Sequence, residues 1–312
     1  MEKKIKFIIP YPDVPYYCWQ VLVQINNFRK LGYEVDAHYL CCYFNEKPSA
    51  ISQSFVDSEN IKSTFHLYPD DRDVKGYSAS MKPYMMYKYF QQFPEEKDNI
   101  YVYLDADVIF LEPFNFEPFI NDSVWYGSEV GSYINSGYIN QKGDGLLQEM
   151  CDFVELQKDV VTNMDNNCIG AQYIIKNSTA DFWYQVHKRS SDLYIHLQGR
   201  QAHYFKKEMI HWLQIWTMEM WLTLWEAWRN NIFTKPVTEM EFHWANHMMK
   251  DKKHSIYHNA GVTENDGKHF SKIHYQSSPF NKEILCSEDS LSYLYKREVL
   301  EAQENFKELI WD

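Results

Sequence analysis

Asp105 and Asp107 stand two residues apart in residues 99–113, NIYVYLDADVIFLEP. Before them, Tyr101, Val102, Tyr103 and Leu104 form an apolar, β-favouring run that predicts a buried strand. A second apolar run, 108–111, follows and stops at Glu112-Pro113. Burying two unpaired carboxylates in a central strand is costly. The pair is therefore expected at the carboxyl end of a parallel strand, where open α/β sheets bind ligands. Two carboxylates in such a crevice can hold a hard divalent cation, and that cation can neutralise a diphosphate. The alternative is a polar strand end that caps the next turn.

Other residues with chemical potential are scattered along the chain. Lys82 lies in Ser80-Met81-Lys82-Pro83, where the proline opens a helix that leads into the Asp-x-Asp strand. It faces the same crevice or is a surface lysine. Glu219 is an acid in a stretch otherwise lined with Trp at 212, 216, 221, 225 and 228. An acid there needs a partner or a function, and it could orient an acceptor hydroxyl or act as a base. Its tryptophans read as a core face.

His258 ends a short apolar strand ahead of Asn259-Ala260-Gly261. It is either structural or able to meet the carboxylates across a cleft. Lys268 and Lys272, around His269, are the candidates to receive a departing diphosphate, with a solvated face as the alternative. Tyr11, in Pro10-Tyr11-Pro12-Asp13 after the first strand, falls where a loop would receive a nucleotide base. Asp70-Asp71-Arg72-Asp73 reads as a solvated turn.

The elements that must position these groups begin with a strand over 5–9. A helix follows over 17–30, with Cys18, Val21, Leu22, Ile25 and Phe28 at helical spacing and Gly32 as its stop. Strands are expected over 33–40 and 65–68, and this βαβ opening predicts a parallel sheet with helices on its faces. A helix over 84–93 precedes the Asp-x-Asp strand. Further strands are expected over 123–126 and 133–140, the latter broken at Asn135-Ser136-Gly137. Helices are expected over 144–160, 168–176, 181–194, 210–229 and 289–311. No repeat or linker interrupts the chain, which predicts one compact unit over 1–312.

Composition narrows the class. The 312 residues suffice for one large α/β domain, and 17% of them are aromatic. A formal charge of −12 argues against a broad nucleic-acid surface. Six cysteines without a CxxC, two of them adjacent, point to a reducing compartment. No run approaches the ~20 apolar residues of a membrane span, and the N-terminal apolar run is too short for a signal peptide. A cytoplasmic protein is expected.

The Asp-x-Asp between two apolar segments resembles the DxD motif of nucleotide-sugar glycosyltransferases of the GT-A fold. Several islands agree in order with one group of them: Tyr16-Tyr17-Cys18-Trp19-Gln20, Lys82-Pro83, Asp105-Ala106-Asp107, the 216–221 stretch WTMEMW and His258-Asn259-Ala260-Gly261. That order resembles the hydroxyproline O-arabinosyltransferase and peptidyl-serine galactosyltransferase group, which shows Trp-Gln, Lys-Pro, Asp-Ala-Asp, Glu-Met-Tyr and His-Tyr-Gly. Trp221 departs from its Tyr, and Asn259-Ala260 separates the His from its Gly. The resemblance implies a GT-A, Rossmann-like α/β fold: a mostly parallel central sheet flanked by helices, with a helical, aromatic-rich C-terminal portion. It also implies one catalytic domain over 1–312, with 1–140 as its nucleotide-sugar half and 141–312 as its acceptor-side and closing helices; Mn²⁺ or Mg²⁺ on Asp107 and His258, with Asp105 on the metal or the ribose; a UDP-sugar donor; and hexosyl or pentosyl transfer with retention. Acceptors open to it are a hydroxyl on a glycan or protein, or a hydroxymethylated DNA base.

Two other classes compete. A nucleotidyltransferase also uses paired Asp but needs a Gly-rich basic loop after its first strand, where this chain has Pro-Tyr-Pro-Asp. A non-catalytic nucleotide-sugar-binding module would keep the fold and release no UDP.

Overall fold

A computed structural model describes residues 4–206 and 209–311. Its elements run β1 (Ile5–Pro12), α1 (Pro15–Leu31), β2 (Ala37–Tyr43), α2 (Ala50–Asp57), β3 (Thr64–Pro69), α3 (Met81–Gln92), β4 (Ile100–Tyr103) and β5 (Val108–Phe110). There follow β6 (Trp125–Glu129), α4 (Gly131–Ile134), α5 (Ser136–Lys142), α6 (Leu146–Phe153), α7 (Lys158–Asn163), β7 (Ile169–Lys176), α8 (Ala180–Gln198) and α9 (Gln201–Tyr204). The chain closes with α10 (Met218–Arg229), β8 (Thr234–Pro236), β9 (Phe242–Trp244), β10 (Ile256–His258) and α11 (Ser292–Asn305).

A seven-stranded, mostly parallel sheet has the order β3-β2-β1-β4-β7-β6-β8, and a three-stranded one the order β5-β10-β9. The expected α/β class, a mostly parallel sheet flanked by helices, is what the chain adopts. The chain divides into two compact units.

One unit comprises Ile5–Asp70, Tyr103–Phe116 and Thr238–Asp312. Its βαβ start forms for the expected reasons. Pro15 opens α1, and Gly32 (φ 78°) closes it, its N–H bonding the carbonyls of Arg29 and Phe28. β1 pairs parallel with β2, and β2 with β3. α1 is buried almost all round, and its buried set includes Gln20, Gln24, Asn26 and Asn27. Asn26 joins α11, donating to Glu298 Oε2 (3.0 Å) and accepting from Asn305 Nδ2 (2.7 Å).

The other unit is built mainly from Asp71–Val102 and Glu117–Val237. Here α8 packs against both α3 and α10, and β6 runs antiparallel to β7 and parallel to β8.

Several expectations are corrected. Residues 133–140 form the helices α4 and α5 and no strand, because the Asn135 side chain caps the Tyr138 N–H at 2.7 Å. The stretch 168–176 is the strand β7 and no helix: nearly every residue is buried, so its apolar run carries no period that separates the two. The expected helix 144–160 is split into α6 and α7 at Glu155, a non-glycine residue with φ 56°. Arg229 Nη2 holds the Val154 carbonyl beside it at 2.6 Å. The helix over 210–229 begins only at Met218, and Trp216 is 59% exposed while Trp221, Trp225 and Trp228 are core. The second strand starts at Ala37, after a short 3-10 turn over Glu34–Asp36. Arg72, expected in a solvated turn, is buried and donates to the Tyr77 carbonyl and Ser80 Oγ.

Candidate metal centre

β4 is buried along its length and ends at Tyr103, so Asp105 and Asp107 fall in the turn between it and β5. The Val108 N–H closes this turn on the Asp105 carbonyl (3.2 Å). β5 then pairs antiparallel with β10, with His258 opposite Val108, which brings the imidazole beside the turn. The Asn259 N–H bonds the Asp107 carbonyl at 3.0 Å. Gly261 turns the chain away with φ 88°, and a Cβ there would meet the Trp244 ring at 3.2 Å. Only glycine suits both the backbone and the space.

The three side chains converge. His258 Nε2 lies 3.3 Å from Asp107 Oδ1 and 3.8 Å from Asp105 Oδ2. One ligand atom from each of the three lies within 4.8 Å of the others. Lys272 Nζ donates to the second Asp107 oxygen. Burial alone would raise the Asp107 carboxyl, but the charges of Lys272 and then His258 hold it well below the usual carboxylate range. Burial, then the Asp107 charge, pushes the half-buried Tyr16 phenol up.

These residues fit a divalent cation. Two carboxylates and an imidazole are a donor set that Mn²⁺ accepts, and Mg²⁺ less readily. His258 turns Nε2 to the carboxylates, while its buried Nδ1 has no hydrogen-bond partner among the described residues.

The remaining expected residues are placed as follows. Lys268 is exposed on the loop that carries Lys272, where Asp266 Oδ1 accepts the Lys268 and His269 backbone N–H groups, each at 2.8 Å. Tyr11 is not in a loop: β1 extends through Pro12 and buries the ring at 1% exposure against Tyr39. Lys82 (half-buried, first turn of α3) and Glu219 (6% exposed, first turn of α10) belong to the other unit. Glu219 has a partner: the Tyr77 hydroxyl accepts its backbone N–H at 2.8 Å and lies 2.7 Å from its Oε2. Sequence reasoning missed Tyr77 and missed Gln24, whose amide reaches the Asp105 carbonyl. The interruption of an apolar helix by Gln20, Gln24 and Asn27 at i, i+4 and i+7 was the available signal for Gln24.

No protein-family model matches the chain, and no curated protein matches it. Its structural neighbours are glycosyltransferases. The bifunctional glycosyltransferase WbbM, in its apo structure, is similar over 98% of this chain at 8% identity and a TM-score of 0.49. This chain spans about half of that one, 52%. The galactosyltransferase LgtC, in complex with donor and acceptor sugar analogues, is similar over 96% of this chain and 95% of its own, at 9% identity and a TM-score of 0.45. An active-site mutant of LgtC gives the same values. Among the described residues no helix is long and apolar enough to cross a membrane.

Proposed function

We propose that the chain is a metal-dependent GT-A glycosyltransferase that moves a hexose or pentose from a UDP-sugar to a hydroxyl acceptor with retention. The observation that carries this is the convergence of Asp105, Asp107 and His258, with Lys272 on the same carboxylate. The order of motifs favours the hydroxyproline O-arabinosyltransferase and peptidyl-serine galactosyltransferase group, within a single catalytic domain over 1–312 acting in the cytoplasm.

Asp105, Asp107 and His258 would hold the ion, Mn²⁺ in preference to Mg²⁺. When bound, it supplies Lewis-acid stabilisation of the diphosphate leaving group. Lys272 can exchange Asp107 for the leaving oxygens, and Lys268 and Lys82 are further donors to phosphate. Under retention the leaving diphosphate takes the acceptor's proton, so Glu219 orients the acceptor hydroxyl and need not deprotonate it. The acceptor is a glycan or protein hydroxyl, or a hydroxymethylated base in DNA. The charge of −12 favours the first two.

Incubation with a panel of nucleotide sugars and Mn²⁺ tests this directly. One donor should release its nucleoside diphosphate, EDTA should abolish release, and Mn²⁺ should restore it. Full activity in EDTA, or no release from any donor, overturns the proposal.

A further inference from the structure

We infer that Gln24 is a positioning residue for the metal centre: its buried amide fixes the turn from which Asp105 and Asp107 project, and thereby sets the affinity for a divalent cation. This rests on the reading of that centre as a cation site.

Gln24 is fully buried on α1. Its Nε2 lies 2.9 Å from the Asp105 carbonyl and 2.7 Å from that of Val108. Both partners are acceptors only, so the NH₂ must face them, and the orientation of the amide is decided by the network. The two hydrogens of one NH₂ thus tie together the two ends of the turn that brackets Asp107. The same turn's own Val108 N–H to Asp105 carbonyl bond is longer, at 3.2 Å.

The other half of the amide shows that packing does not explain this residue. Gln24 Oε1 is buried without a hydrogen-bond partner among the described residues. An apolar isostere would leave no such orphan. Asn27, one turn on, makes the contrast. Its Nδ2 donates to the Phe110 carbonyl and its Oδ1 accepts the Phe110 N–H, both at 2.9 Å, so it attaches β5 to α1 with nothing left over. Attachment of the strand is therefore served by Asn27. Gln24 adds closure of the turn that aims the two carboxylates.

The test is Mn²⁺ binding, read from the EPR signal of free Mn²⁺, for the wild type, Gln24→Met and Asn27→Leu, with thermal unfolding of each in EDTA. Both variants should lose thermal stability. Gln24→Met should raise the Mn²⁺ Kd at least tenfold, while Asn27→Leu stays within threefold of the wild type. A Gln24→Met Kd within threefold of the wild type, or an equal loss in Asn27→Leu, overturns the inference. A wild type that binds no Mn²⁺ overturns the cation site itself, which is a different result. If Gln24→Met does not fold, Gln24→Asn carries the comparison, since it keeps a neutral amide but is one methylene too short to reach both carbonyls. Its Kd should rise by the same margin, and an unchanged value again overturns the inference.

Discussion

Replacing Asp107 with Asn changes almost no volume and removes one charge, so it separates the ion from the fold. The carboxylate is buried, with its side chain 5% exposed, and Lys272 and His258 face its two oxygens. Without metal, the loss of a charge-assisted hydrogen bond costs about 1.5–3 kcal/mol. Part of that returns, because an amide is cheaper to bury than a carboxylate and Lys272, 20% exposed, can hydrate. A net apo cost of about 1 kcal/mol follows, or roughly 2 °C in Tm for a chain of this size. With Mn²⁺ at a hundred times the wild-type Kd, the wild type gains about 2.7 kcal/mol, or roughly 5 °C. Loss of one ligand and its charge should weaken Kd about a hundredfold, leaving a gain of about 0.4 kcal/mol, under 1 °C. Thermal unfolding with EDTA and with Mn²⁺ reads both effects in one experiment. An Asp107→Asn protein that keeps the full Mn²⁺ shift would refute the assignment of Asp107 as a ligand, whatever its activity.

Glu219→Gln should lower transfer at least tenfold while changing donor Kd less than twofold, as measured by steady-state transfer and nucleotide titration; equal losses in both would assign the carboxylate to the donor side. Tyr77→Phe, which removes the hydroxyl at 2.7 Å from Glu219, should reproduce the same split more weakly. The acid limb of stability should report His243. Its Nε2 accepts the N–H groups of Lys253 and His254 at 2.9 and 3.0 Å, and burial, then the charges of His254 and His247, lowers its pKa to about 4. The folded value lies below the unfolded one of about 6.5, so the unfolded chain binds the extra proton between them. The contribution is complete above about pH 6.5 and is lost as pH falls towards about 4, by at most about 3 kcal/mol. Urea unfolding at pH 7 and pH 4.5 should show a smaller difference in His243→Gln, whose carbonyl can accept both N–H groups. An identical difference would exclude His243 as the source.

The parts of the site that could be read from sequence were those whose chemistry is local. Asp105 and Asp107 sit at the end of an apolar run, and that juxtaposition alone required a charge partner or a ligand. His258 was approachable for the same reason, as a polar end on an apolar strand before a glycine. Gln24 was not, because an amide inside an apolar helix shows its purpose only when its partner is known, and Val108 lies 84 positions away. The βαβ opening was legible from helical spacing and the Gly32 stop. By contrast, β7 is not legible because a run buried on both faces has no alternation, and residues 133–140 because a single side-chain cap outweighs an apparent strand pattern. In sequence Tyr11 reads as a loop residue because Pro10 and Pro12 look like turn residues. In β1 the prolines sit where the strand continues to pair with β2, at Leu40 and Cys42.

The pairing of Lys272 with Asp107 joins residues 165 positions apart. On a ribosome adding about 5–20 residues per second, the two carboxylates emerge roughly 8–33 s before the lysine that neutralises one of them. For that interval the β4–β5 turn holds two acids without the imidazole or the ammonium that folding later brings, and closing so long a loop is among the slower steps available to the chain. The cluster of two carboxylates, imidazole and ammonium therefore cannot assemble until the chain has been made as far as Lys272. Assembly of this cluster is a late event in the life of each molecule, timed by the position of β10 and the Lys272 loop in the message.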